Sequence, residues 1–261
     1  MKNFKTILTV AITAILFLGI FYPKILNPSY EQGLPVTGSP FSNLNLEAKS
    51  AIVFDYINNR PIFELNPEAQ LPLASLTKIM TVITAKELMP DGNFKNLSDK
   101  INKALIISSN EAATAIAIET QNFLGPNDFV GEMNKKAEEL GLNQTYFLNE
   151  TGLDINDNIA GAYGSASDVI KILTYAIKND SDIFEQTTAD SDYNTNPYAT
   201  STTLLVASKT GLTDLAGGNL AIVFEAGMGR PIAIVVLGSS QEGRFTDVKK
   251  LMEATFNYLK L

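Results

Sequence analysis

Ser75 and Lys78 stand three residues apart in the run Ser75-Leu76-Thr77-Lys78. Leu76, Ile79, Met80 and Ile83 fall at i, i+3, i+4 and i+7, so the pair is expected to open an amphipathic helix. Three residues is close to one helical turn, which puts the hydroxyl and the amine on one face. A Lys that is partly desolvated beside other cations gives up its proton more readily. It can then take the Ser proton and make that oxygen a nucleophile. The N-terminus of the helix also directs backbone N–H groups at the site, where they suit an oxyanion. A solvated Lys on a surface helix would give the same four letters.

Ser108-Ser109-Asn110 follows 33 residues after Ser75 and offers a second hydroxyl and a side-chain amide. The same residues read equally well as a helix N-cap ahead of Glu111-Ala112-Ala113. Lys209-Thr210-Gly211 comes 101 residues after Ser108, directly behind the apolar run 204–207, which places it at the end of a strand. A Lys with a Thr beside it suits a carboxylate, and Gly lets a ligand backbone approach closely. A plain strand-end turn is the other reading.

Composition narrows the chemistry. The 261 residues include no His, no Cys and no Trp. Without imidazole there is no Ser-His-Asp triad and no His-ligated zinc, so acid–base work near neutral pH falls to a retuned Lys, Glu, Asp or Tyr, or the N-terminal amine. Without Cys there are no disulfides, thiolate nucleophiles or iron–sulfur clusters. The formal net charge is −8 and there is no basic block, so nucleic acid is a poor partner.

The elements that must carry these groups show in the hydrophobic pattern. Residues 51–54 and 61–65 read as a hairpin across Asn58-Asn59-Arg60. Residues 204–207, 220–224 and 232–237 read as three more strands, joined too tightly for helical crossovers, so antiparallel pairing is expected. Between these groups the pattern is helical. Val130, Met133, Ala137 and Leu140 end at Gly141, and Ser165-Ala166-Ser167-Asp168 is a capping box ahead of Val169, Ile170, Leu173 and Ile177. Phe245, Val248, Met252, Phe256 and Leu259 mark a terminal helix. The expected fold class is α+β, an α/β/α sandwich with the terminal helix against an antiparallel sheet.

The N-terminus reads differently. Residues 7–22 are sixteen residues without a charge, preceded by Lys2 and Lys5 and closed by Pro23. No small-residue cleavage site follows the apolar core, which favours a retained anchor over a removed signal peptide. The flanking Lys residues place the N-terminus in the cytoplasm and the rest of the chain outside it, on a single-pass anchor in the cell membrane. The expected organisation is an anchor over 1–22, a Pro/Gly/Ser/Asn spacer over 23–46 and a catalytic domain over 47–261. Residues 1–22 hold two Lys and no acid, so the remainder carries 18 basic and 28 acidic residues, net −10.

Taken together and in this order, S-x-x-K, S-S-N and K-T-G resemble the S-x-x-K, S-D-N and K-T-G set of penicillin-binding proteins and class A β-lactamases, and the S-S-N in place of S-D-N weighs against the β-lactamase reading. Residues 71–81, with Ser75-Leu76-Thr77-Lys78 at their centre, resemble the P-x-A-S-L-T-K-[LIM]-M-T block of the low-molecular-mass D-alanyl-D-alanine carboxypeptidases, peptidase family S11. Residues 106–113 resemble S-[GS]-N-[DE]-A-A, Phe147–Leu153 resembles F-x-N-x-x-G-L, and Lys209–Thr213 resembles K-T-G-x-T. The likeness runs from about residue 47 to 261. The family commonly has a His near the position of Ala162, and this sequence departs from it there.

That resemblance implies a transpeptidase-like sheet with an all-helical subdomain, and no metal or organic cofactor. It makes Ser75 the acylated nucleophile, Lys78 its base, Ser108 a proton relay and Asn110 a holder of Lys78 and the substrate amide. Lys209 would supply positive potential, Thr210 and Thr213 would bind the terminal carboxylate, and the N–H groups of Ser75 and Leu212 would form the oxyanion hole. Gly211 completes the substrate-binding set. The implied substrate is the peptidoglycan pentapeptide, with β-lactams as inhibitors. A D,D-endopeptidase, a β-lactamase using Glu150, or a non-catalytic wall-binding protein are the alternatives on this scaffold.

Overall fold

The computed structural model describes residues 38–124, 128–188, 193–201 and 204–260. The expected anchor over 1–22 and most of the spacer lie outside these residues. Among the described residues no helix is long and apolar enough to cross a membrane. Asn43–Leu261 forms one compact unit, and Ser39–Ser42, which belongs to the segment before it, closes a short turn of its own.

The elements of the compact unit, in chain order, begin with strands β1 (Ser50–Asp55), β2 (Arg60–Leu65) and β3 (Leu71–Pro72). A 3₁₀ turn over Ala74–Leu76 leads directly into helix α1 (Thr77–Leu88), followed by α2 (Asp91–Lys95), α3 (Ser98–Leu105), α4 (Asn110–Gln121) and α5 (Phe129–Glu139). Strands β4 (Tyr146–Phe147) and β5 (Ala162–Gly164) precede α6 (Ala166–Glu185), a 3₁₀ turn over Gln186–Thr188 and the short α7 (Tyr198–Ser201). The chain closes with β6 (Leu205–Thr213), β7 (Gly217–Glu225), β8 (Pro231–Ser239) and α8 (Gly243–Leu259).

Five strands form one antiparallel sheet in the order β2-β1-β8-β7-β6. The hairpin over Asn58–Arg60 is present, with Asn59 at a positive φ of 49°. Strand side chains alternate between faces. Val223, Ala221, Val235 and Leu237 join one core cluster with helices α1 to α6, whereas Phe224 points the other way, onto Phe256 of α8 at 5.7 Å between ring centroids. Both faces of the sheet are therefore covered, and the inner runs of β7 and β8 are buried throughout, without polar alternation. This is the α/β/α sandwich expected, an α+β fold.

The remaining helices and the small β3-β5-β4 sheet form a second lobe that shares this core. At the junction lies α1. The expected amphipathic helix is instead buried all round: every residue from Thr77 to Ala85 is inside. Ser75 sits on the 3₁₀ turn just before it rather than in the helix proper. Of the capping box expected at Ser165 one half is formed, the Ser165 hydroxyl accepting the Asp168 N–H at 3.1 Å, whereas the Asp168 carboxylate turns away to accept from the Gln144 N–H, the Thr145 hydroxyl and Lys171. On α8 the buried face is Val248, Leu251, Ala254 and Thr255 together with Arg244 and Asp247, so of the expected stripe Val248 is buried while Phe245, Met252, Phe256 and Leu259 lie at the margin. Asp247 is inside because its carboxylate accepts the N–H groups of Glu47 and Ala48 and the Ser239 hydroxyl.

Candidate active site

The turn that carries Ser75 is fixed by its surroundings. Its entry is held by the Leu73 N–H donating to the Ala162 carbonyl at 3.0 Å and by Asn219 Nδ2 donating to the Pro72 carbonyl at 2.9 Å. Thr77 Oγ1 donates to the Ala74 carbonyl at 2.7 Å, and Ala74 itself has a φ of +48°, a conformation that costs an L-residue about 1–2 kcal/mol. Position 162, where relatives commonly have a His, is a fully buried Ala inside β5. It supports the turn through its carbonyl.

Lys78 is completely buried. Its Nζ donates to Ser75 Oγ at 2.7 Å, to Asn110 Oδ1 at 2.8 Å and to the Thr151 carbonyl at 2.8 Å. An ammonium has three N–H donors, and all three are used. Burial pushes its pKa down to about 8, with the carboxylates of Glu150 and Glu111 pulling the other way. The Thr151 carbonyl is aimed by Asn149, whose Oδ1 accepts the N–H groups of Thr151 and Gly152 and the Thr151 hydroxyl, and whose Nδ2 donates to the Leu153 carbonyl. Gly152 has a φ of +76°, and a Cβ there would lie 1.8 Å from the Ala74 carbonyl oxygen. The 149–153 loop thus rests directly on the turn that carries Ser75.

Both readings of Ser108-Ser109-Asn110 are realised, on different residues. Ser109 caps α4, its hydroxyl accepting the Ala112 N–H at 3.0 Å. Ser108, at φ +62°, turns its hydroxyl into the cleft, where Lys209 Nζ donates to it at 2.9 Å. Lys209 is only 2% exposed and also donates to the Thr210 carbonyl. Burial lowers its pKa well below the ordinary Lys value, and the charges of Lys78 and Arg244 add to that.

The expectation that Lys209-Thr210-Gly211 ends a strand is corrected: β6 continues to Thr213, and the motif lies inside it. The apolar run breaks at Ser208, but Ser208 to Gly211 are buried all the same. Gly211 is needed for close packing of the protein on itself, since a Cβ there would meet the Leu73 carbonyl at 3.0 Å and Ala74 Cβ at 3.2 Å. Thr213 lines the cleft, and its hydroxyl is paired within the protein, donating to Asp154 Oδ1 at 3.0 Å and accepting the Ala216 N–H.

Ser75, Ser108, Asn110, Leu153, Thr195, Thr210, Leu212, Thr213 and Arg244 line one cleft of about 280 Å³. Arg244 was not legible as a site residue. It enters from the first turn of α8, is 7% exposed, donates to the Gly211 carbonyl at 2.7 Å and keeps its buried Nε without a partner. Glu150 faces a neighbouring groove with Glu111, Thr114 and Asp154, its carboxylate accepting from Thr114 Oγ1. Asn110 and Leu153 line both spaces. Among the described residues no group of three or more acidic side chains is placed to hold a metal ion.

This arrangement can be compared with known proteins. The family described as D-alanyl-D-alanine carboxypeptidase matches residues 37–102 and 88–241. The D-alanyl-D-alanine carboxypeptidase DacF of Bacillus subtilis is 29% identical over 84% of this chain and 65% of its own length. The D-alanyl-D-alanine endopeptidase of Escherichia coli is 28% identical over 80% of this chain and 77% of its own. The chain thus spans about two thirds of the length of the Bacillus relative. Penicillin-binding protein D2 of Listeria monocytogenes, solved with cefotaxime bound, superposes with a TM-score of 0.70 at 27% identity, over 82% of this chain and 99% of that one. With most of its length matched and residues of all three motifs lining one cleft, the chain belongs to peptidase family S11, the D-alanyl-D-alanine carboxypeptidases.

Proposed function

We propose that the protein is a serine-type D-Ala-D-Ala carboxypeptidase that trims peptidoglycan stem peptides through an acyl-enzyme on Ser75. The observation that carries this reading is the Lys78 environment. When Lys78 is neutral it has two N–H groups and one lone pair. Asn110 Oδ1 and the Thr151 carbonyl can only accept, so they keep the two N–H groups, and the lone pair is left facing Ser75 Oγ. The base is thereby aimed by its partners.

In the proposed reaction Ser75 Oγ attacks the carbonyl carbon of the penultimate D-alanine as its proton passes to Lys78. The N–H groups of Ser75 and Leu212 receive the oxyanion. Ser108, held by Lys209, relays the proton taken up by Lys78 to the leaving amine as the C–N bond breaks and D-alanine departs, so that Lys78 is again neutral and Ser108 keeps its own proton. Water then hydrolyses the ester. Arg244, Thr210 and the field of Lys209 form a cationic end of the cleft for the terminal carboxylate. No carboxylate is among the cleft's lining residues, and Glu150 is turned into the adjacent groove, which favours slow deacylation over β-lactamase turnover. After treatment with a penicillin, mass spectrometry of the digested protein should show one long-lived adduct, on the Ser75 peptide. Rapid loss of that adduct with turnover of the drug would instead support the β-lactamase reading. Release of D-alanine from a pentapeptide, set against cleavage of a crosslinked dimer, separates the carboxypeptidase from the endopeptidase.

Two further expectations follow from the same geometry. Only neutral Lys78 can act as base, and its pKa stands at about 8. The second-order rate of acylation should therefore rise about tenfold per pH unit below that value and level off above it. A rate independent of pH from about 6 to 10 would exclude Lys78 as the base. Arg244→Ala should lower kcat/KM for a carboxylate-ended peptide by roughly 10–100-fold, as expected for loss of a charge-assisted hydrogen bond. The C-terminal amide of the same peptide should be nearly unaffected.

The N-terminal segment completes the proposal. Its Lys-flanked apolar stretch over residues 7–22 supports an anchor in the cell membrane with the catalytic unit outside the cytoplasm. Membrane fractionation with N-terminal sequencing tests this: a soluble protein beginning beyond residue 22 would mean that the segment is a cleaved signal.

A further inference from the structure

Thr195 reaches the cleft from the segment just before α7, between two catalytic elements. Its N–H and its Oγ1 both donate to the Ile106 carbonyl, each at 3.2 Å. Ile106 stands two residues before Ser108, in the turn that holds Ser108 at positive φ. On the other side, Thr195 Oγ1 lies 2.6 Å from Thr210 Oγ1. One hydroxyl thus joins the Ser108 turn to the Lys209-Thr210-Gly211 strand.

The proton count gives this bridge a direction. Thr195 has one hydroxyl proton, and while it goes to Ile106 the short Thr195–Thr210 contact must be made by the Thr210 proton. In that state Thr210 presents lone pairs to the cleft, the wrong polarity for an anionic ligand. When a carboxylate arrives, the Thr210 proton can turn to it. Thr195 then turns its own proton from Ile106 to Thr210. The Ile106 carbonyl is not orphaned by this exchange, because the Thr195 N–H stays on it.

We propose that Thr195 is a positioning residue for recognition of the substrate's terminal carboxylate: it holds Thr210 Oγ1 in the cleft and reverses its hydrogen bond so that Thr210 can become a donor. The inference rests on the carboxypeptidase reading above. Val is the informative replacement. It keeps the backbone N–H bond to Ile106, but a methyl group cannot sit 2.6 Å from an oxygen, so Thr210 must shift and loses its donor from behind. Ser keeps the hydroxyl.

The test compares kcat/KM for a D-Ala-D-Ala-ended peptide with that for its C-terminal amide in the wild-type protein, Thr195→Val and Thr195→Ser. Thr195→Val should lose about tenfold more on the carboxylate substrate than on the amide, the size of one hydrogen bond, with Ser75 still labelled by penicillin. Thr195→Ser should restore most of the preference. The inference is overturned if Thr195→Val keeps the full preference for the carboxylate, or if it loses equally on both substrates. A wild-type protein whose Ser75 is not labelled would overturn the carboxypeptidase reading itself, and the role of Thr195 falls with it.

Discussion

Ser75→Ala should carry no penicillin adduct and should release D-alanine slower by a factor on the order of 10⁵ to 10⁶, the loss seen when a serine nucleophile is deleted from a peptidase. The substitution removes one acceptor from Lys78 and nothing else that holds the turn, because Leu73, Pro72 and Thr77 fix it through other bonds. The melting temperature should therefore stay near that of the wild type, which separates lost chemistry from lost structure. Lys78→Arg sharpens the result. Guanidinium keeps the positive charge but does not deprotonate in proteins, so a base role for Lys78 demands that this variant also fail to acylate. A wild-type rate of D-alanine release from Ser75→Ala would sink the acyl-enzyme scheme.

The second large effect is expected at Gly152, which touches no substrate. A methyl group there would stand 1.8 Å from the Ala74 carbonyl oxygen and 2.5 Å from both Ala74 C and Thr77 Oγ1, on a backbone at φ +76°. Main chain cannot swing aside as the tip of a long side chain can. Gly152→Ala combines overpacking, about 1–3 kcal/mol, with a left-handed conformation that disfavours a Cβ by about 1–2 kcal/mol. A loss of about 3 kcal/mol corresponds to a fall in melting temperature of roughly 6–12 °C for a unit of this size. Activity should fall further than stability does. Any movement of the loop withdraws the Thr151 carbonyl from Lys78 Nζ and lets the lone pair of the neutral amine turn away from Ser75. Calorimetry with penicillin labelling on the same sample checks both parts. A variant that melts and labels like the wild type would show that the loop does not set the base.

The proposed catalytic groups are legible in the sequence because each is a side chain of distinctive type: a hydroxyl, an amine or an amide at a short fixed spacing. The parts that aim them are not. The third acceptor on Lys78 is a backbone carbonyl of Thr151, and a carbonyl has no residue signature. Arg244 was hidden by its helix: beside Phe245 it reads as the polar edge of an apolar stripe, and only the actual register of α8 turns it inward. Ser208, Lys209 and Thr210 break the apolar run that predicts β6, so the pattern ends the strand before the half that lines the cleft. The pairing of Thr213 is not legible because its partner Asp154 lies 59 residues away in the chain, beyond the reach of any local pattern. The hairpin of β1 and β2, the antiparallel closing strands and the capped helix at Ser165 were legible for the opposite reason, since turn chemistry and hydrophobic period decide them locally.

The position of β6 has one more consequence. An outermost strand leaves a row of backbone donors and acceptors open to pairing with another chain, which invites aggregation. The opposite border of the sheet is blunted by Pro61 in β2. On β6 the first half is occupied by the 3₁₀ turn at Thr187, whose hydroxyl accepts the Ser208 N–H at 2.8 Å and whose carbonyl accepts from Ser208 Oγ. Leu212, 43% exposed, marks where that cover stops. The Thr187 turn therefore occupies the start of this border, and the end of β6 beyond it, with Thr210, Leu212 and Thr213, lines the cleft in which the proposed ligand would lie.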